Sequence, residues 1–214
     1  MTVAGIASAA QLSVVHGIPG QELGVDPALA VDVSVNGACT LEGFEFTEIA
    51  GPLDLDAGVY DIEVTLADTA NPCQGPLAIA QSISLALGEN ASAVAHFTTD
   101  GSIQLSKFTN DVRAPAEGQA RFVARHLADA PDVDAPFEVE GETVAQISAL
   151  GFGEQGKLDV DAGTYEASVK VAGTDVTALG PYSVNAMAGA GYYVYIVGSV
   201  SGGTLMPLVQ HIDL

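Results

Sequence analysis

Tyr60-Asp61-Ile62-Glu63-Val64-Thr65-Leu66 alternates polar and apolar side chains, and Tyr165-Glu166-Ala167-Ser168-Val169-Lys170-Val171 does the same. Period-two alternation predicts strands with one face in a core and the other in water. Each run follows a turn signal, Asp56-Ala57-Gly58 or Asp161-Ala162-Gly163, in which glycine supplies a positive φ at little cost. Val31-Asp32-Val33-Ser34-Val35 runs into Asn36-Gly37, the pairing expected of a tight hairpin. Ala91 to Phe97 and Tyr192 to Val197 read as later strands. No segment keeps a helical period over three turns. Short strands separated by turn residues predict an all-β sandwich.

The pattern is written twice. Leu53-Asp54-Leu55-Asp56-Ala57-Gly58-Val59-Tyr60 recurs 105 positions later as Leu158-Asp159-Val160-Asp161-Ala162-Gly163-Thr164-Tyr165. His16 corresponds to His126, Gly101 to Gly203 and Asp111 to Asp213, so the copies are collinear with small insertions. The first copy carries extra residues around Gly20 to Asp26 and Asn71 to Gly75. The expected organisation is an arm or leader remnant over residues 1–10, a first module over 11–113, a linker over 114–119 and a second module over 120–214. The arm is small, apolar and uncharged, and is a candidate strand for the open edge of another copy.

Composition changes this picture in two ways. Twenty-seven Asp and Glu against six Lys and Arg give a formal net charge of −21. A surface so negative repels nucleic acid and anionic lipid, and favours solubility in salt. No apolar run approaches the roughly 20 residues that cross a bilayer. Cys39 and Cys73 are the two cysteines; both stand beside turn residues, and their even number predicts one disulfide and an oxidising compartment.

Several groups are candidates for chemistry. Asp54, Asp56, Asp159 and Asp161 form an Asp-x-Asp-Ala-Gly pattern in both copies and make calcium the candidate cation, although no full calcium-loop spacing follows. No other cofactor is expected. His16 and His126 end equivalent strands; without a second nearby ligand, each is expected to fix a turn by hydrogen bonding. Tyr182, Tyr192, Tyr193 and Tyr195 concentrate aromatic surface in the second copy and are candidates for a ligand or interface platform. Tyr193 is expected on one face, with Tyr192 and Tyr195 towards the other. No Gly-x-Ser-x-Gly elbow or histidine-centred constellation is present, so an enzyme is not expected.

Val14-Val15-His16-Gly17-Ile18-Pro19-Gly20 and Arg125-His126-Leu127-Ala128-Asp129-Ala130-Pro131 carry a family resemblance, together with Phe108-Thr109-Asn110-Asp111 and Gly180-Pro181. Over residues 11–214 the chain resembles the family catalogued as domain of unknown function 4397, in a two-module form common in secreted actinobacterial proteins. The resemblance implies immunoglobulin-like sandwiches and an extracellular or cell-wall location, and it carries no catalytic residue. The expected role is a structural or adhesive surface protein that assembles with itself or meets another surface protein. The alternative is a module that binds cell-wall glycan or a small ligand.

Overall fold

The computed structural model describes residues 9–214, and the chain divides into two compact units. Residues 1–8, most of the expected arm, lie outside the described residues. Ala10 already belongs to the first strand.

The first unit is built from β1 (Ala10–His16), β2 (Val31–Val35), β3 (Ala38–Phe44), β4 (Ile49–Leu55), β5 (Gly58–Leu66), β6 (Leu77–Leu85), β7 (Asn90–Phe97) and β8 (Ile103–Thr109). They form two sheets in the orders β4-β1-β7-β8 and β3-β2-β5-β6. The second unit has β9 (Gln119–His126), β10 (Val133–Val139), β11 (Glu142–Leu150), β12 (Gln155–Asp161), β13 (Gly163–Val171), β14 (Thr177–Ala186), β15 (Ala190–Val197) and β16 (Met206–Asp213). Its sheet orders are β12-β9-β15-β16 and β11-β10-β13-β14, the first unit's topology repeated strand for strand. Each unit is therefore a two-sheet β-sandwich. Among the described strands β1 pairs with β7 and β9 with β15 in parallel, whereas the hairpin pairs such as β5 with β6 and β13 with β14 are antiparallel.

Local signals explain the elements. Asn36 and Gly37 both take positive φ, 50° and 75°, between β2 and β3, and Glu140 and Gly141 do the same at the matching hairpin. The alternating runs send every second side chain into the space between the sheets. In the first unit Val14, Val33, Ile62 and Val64 line that space. In the second, Ala124, Val133, Ile147, Val169 and Ile196 pack together across both sheets.

The insertions of the first copy have distinct fates. Gly20–Leu23 forms one 3-10 turn, and a Cβ on Gly20 would collide with the Asp26 carbonyl oxygen, so that corner requires glycine. The other insertion carries Cys73, bonded to Cys39. Cys39 stands on β3 rather than in a loop, so the disulfide fastens a sheet edge to the loop between β5 and β6.

Candidate functional site

The strand-end histidines are turn fasteners in both units. The His16 Nε2–H donates to the Leu29 carbonyl oxygen at 2.9 Å, and its Nδ1 accepts from the Ile18 amide at 3.3 Å. His126 repeats this with the Pro131 carbonyl at 2.9 Å and the Ala128 amide at 3.4 Å. Both ring nitrogens are satisfied by a neutral imidazole, and burial lowers the pKa of His16 against the opposing pulls of its Leu29 bond and Glu48.

Two aspartates that the reading of the chain passed over do similar work. Buried Asp32 on β2 accepts from the amides of Gly43 at 2.8 Å, Cys73 at 2.9 Å and Asp68 at 3.2 Å. Burial pushes its carboxyl up, but the three amides outweigh that and hold it below the ordinary value. Asp134 on β10 accepts from Ala149 at 2.8 Å and Gly173 at 2.9 Å. The available signal was an acid inside an apolar strand at the same place in both copies, Val31-Asp32-Val33 and Val133-Asp134-Ala135.

The repeated Asp-x-Asp-Ala-Gly-x-Tyr segment is a strand corner. The Tyr60 hydroxyl donates to the Asp56 carbonyl at 2.8 Å, and Tyr165 to the Asp161 carbonyl at 2.7 Å, the tyrosine-corner arrangement of β-sandwiches. Three of the four aspartate side chains have separate partners. Asp54 meets Gln11 at 3.4 Å, Asp161 meets Gln119 at 3.1 Å, and Asp159 receives both Nε and Nη2 of Arg121 at 2.8 Å. Among the described residues no three His, Cys, Asp or Glu side chains converge in a metal-holding group.

The tyrosines separate. Tyr193 and Tyr195 lie on the same face of β15, both 0% exposed, with the Arg125 guanidinium 5.3 and 5.2 Å from their ring centres. The expected split of these two residues is corrected by the strand's own period, since positions two apart share a face. Tyr195 also donates to Gln210 at 2.6 Å. Tyr192 points the other way, stacked on Phe122 at 4.7 Å and 10°, its hydroxyl donating to the Asn185 carbonyl at 3.0 Å. Tyr182 on β14 is 45% exposed.

Tyr182 and Tyr192 both line a cavity of about 280 Å³ between the sheets of the second unit. It reaches the side where β14 and β16 end the two sheets, with Pro207 and exposed Val209 beside Tyr182. The corresponding space in the first unit is about 40 Å³.

The architecture places the chain among tandem β-sandwich proteins. The family model of the domain of unknown function 4397 matches residues 10–136, and the chain belongs to that family. No curated protein matches it. A solved structure, of a "putative cell adhesion protein" from Bacteroides uniformis, is similar at 12% identity and a TM-score of 0.27, covering 100% of this chain and 99% of that one.

Proposed function

We propose that the protein is an extracellular, non-enzymatic structural module that associates with copies of itself. The disulfide supports the location, because such bonds persist in oxidising compartments. The observation that carries self-association is β6. It ends the sheet β3-β2-β5-β6, and its nine residues, Leu77-Ala78-Ile79-Ala80-Gln81-Ser82-Ile83-Ser84-Leu85, contain no charge and no proline. Among the described edge strands it alone lacks both of these guards, in a chain of net charge −21.

The strand also reads almost the same in both directions about Gln81. Antiparallel pairing with a second β6 sets Ile79 against Ile83, Leu77 against Leu85 and Ala80 against Ser82, with Gln81 on the twofold axis. That is the self-complementarity an isologous contact requires. Lys107 Nζ donates to the Ser84 carbonyl at 2.7 Å, so the even-numbered positions turn their backbone groups away from β5. Ala80 and Ser82 are even-numbered and face each other in this register, so their amides and carbonyls can form the bonds between copies.

Light scattering against concentration tests this. The expected result is a mass that rises from 21.7 kDa towards twice that value, more readily at high salt. Exposed Ser82 donates to the Asp61 carboxylate at 2.5 Å, an acceptor that a lysine ammonium can also meet, and S82K is expected to weaken association at least tenfold with little change in thermal midpoint. A wild-type chain that stays monomeric at 0.5 mM in 1 M NaCl, or an S82K variant that associates equally well, overturns the reading.

A further inference from the structure

We infer that the second module holds a small, neutral, apolar molecule of one or two rings in the cavity between its sheets. This goes beyond the self-association above and rests on different residues. The two copies diverge within one topology. Strand registers align Val14 with Ala124, Val33 with Ala135 and Ile62 with Ala167, and all three alanines line the cavity. Three large side chains of the first unit are thus three methyl groups in the second, while Ala91, Ala93 and Val35 of the first unit are Tyr192, Val194 and Phe137 in the second, so bulk is redistributed and the cavity is left walled by aromatic rings. Well-packed interiors contain few voids larger than a water molecule.

The mouth diverges in the same direction. Lys107 bridges β8 to β6 in the first unit through the Ser84 carbonyl, closing that side of the sandwich. With Gly101 aligned to Gly203, the position of Lys107 falls on Val209, which lines the cavity and is exposed. The strap is gone where the space has opened.

The walls define the ligand. Phe122, Phe137 and Tyr192 supply aromatic surface, and Ser168 is the one aliphatic hydroxyl on the lining. The Tyr192 hydroxyl already donates to Asn185. A sugar would leave its hydroxyls largely unmatched there, at a high desolvation cost. An anion would meet an apolar wall and the field of a chain at −21. A volume of about 280 Å³ is near the lower end of small-molecule sites and exceeds a cavity of ~150 Å³ known to accept benzene.

The test is fluorine NMR of 2-fluoronaphthalene with the full chain, competed by naphthalene and by 2-naphthoate. Saturable binding in the micromolar-to-millimolar range is expected, with naphthoate at least tenfold weaker than naphthalene. Ala167→Ile restores the first unit's side chain and is expected to weaken binding at least tenfold while raising the thermal midpoint by a few degrees. Val209→Lys leaves the core intact and is expected to slow or weaken entry; should A167I fold poorly, Ala124→Val replaces it. Absence of saturable binding by the wild type, or unchanged affinity in a folded wall-filling variant, overturns the inference. Neither outcome depends on the scattering result for β6.

Discussion

Asp32 connects three pieces of chain that are far apart in sequence. Its carboxylate accepts from Gly43 on β3 and from Asp68 and Cys73 in the loop after β5. Truncation to alanine leaves three amides without that acceptor, so D32A is expected to cost about 3 kcal/mol in urea unfolding of the first module. The carboxyl is held below its ordinary value, so its contribution is complete above about pH 4 and is lost as pH falls through the lowered folded-state value. His16 adds a separate window. Its pKa is depressed by burial, so the neutral form's contribution is full above the unfolded value near 6.5 and is lost as pH falls towards the folded one. Chemical unfolding from pH 8 to pH 3 is therefore expected to show one decline below 6.5, reduced in H16Q, and a second below 4, reduced in D32N and shared with the lowered carboxyls of Glu89 and Asp134. Coincident loss in wild type and both variants would assign the acid response to other groups.

At the scale of elements, the disulfide and the Tyr60 corner hold the first sandwich at different places. Cys39–Cys73 closes a loop with a sequence separation of 34, and reduction is expected to remove about 3–4 kcal/mol in the chain-entropy model. That loss belongs to the first module, since both cysteines lie there. A melt in reducing agent is expected to lower one transition and leave the second module's in place. Much of this level was legible in the chain. Alternation marked β5 and β13, Asn36-Gly37 marked the β2–β3 hairpin, and the eight-residue repeat located the corners. The parallel pairing of β1 with β7 was not legible, because it joins segments about eighty residues apart and leaves no local sign. The Asp-x-Asp pattern resembled a cation loop because the carbonyl that the tyrosine uses is invisible in side-chain patterning. The cavity was equally hidden: Ala124, Ala135 and Ala167 are ordinary strand residues until the register sets them against Val14, Val33 and Ile62.

Charge acts on the whole molecule. Lys107 makes an ion pair with Glu89, Arg121 with Asp159 and Lys170 with Glu138. The large remaining excess of carboxylates repels itself in the compact state, which lowers stability at low ionic strength. Raising salt from 0.05 M to 1 M shortens the screening length to about 3 Å, so repulsion between exposed carboxylates largely vanishes. The thermal midpoint is therefore expected to rise by several degrees over that range in NaCl. Calcium chloride separates this from a bound ion. At matched ionic strength, an equal rise with calcium means screening of the whole acidic surface. A larger rise that saturates at millimolar calcium, and is lost in D54N or D159N, would place a cation at the strand-corner acids. The dispersed geometry of Asp54, Asp56, Asp159 and Asp161 leads us to expect the first outcome. The same titration bears on the β6 contact, because two chains that each carry −21 approach more easily as their repulsion is screened. Stability and association are then expected to rise together in wild type, whereas S82K should gain stability without gaining mass.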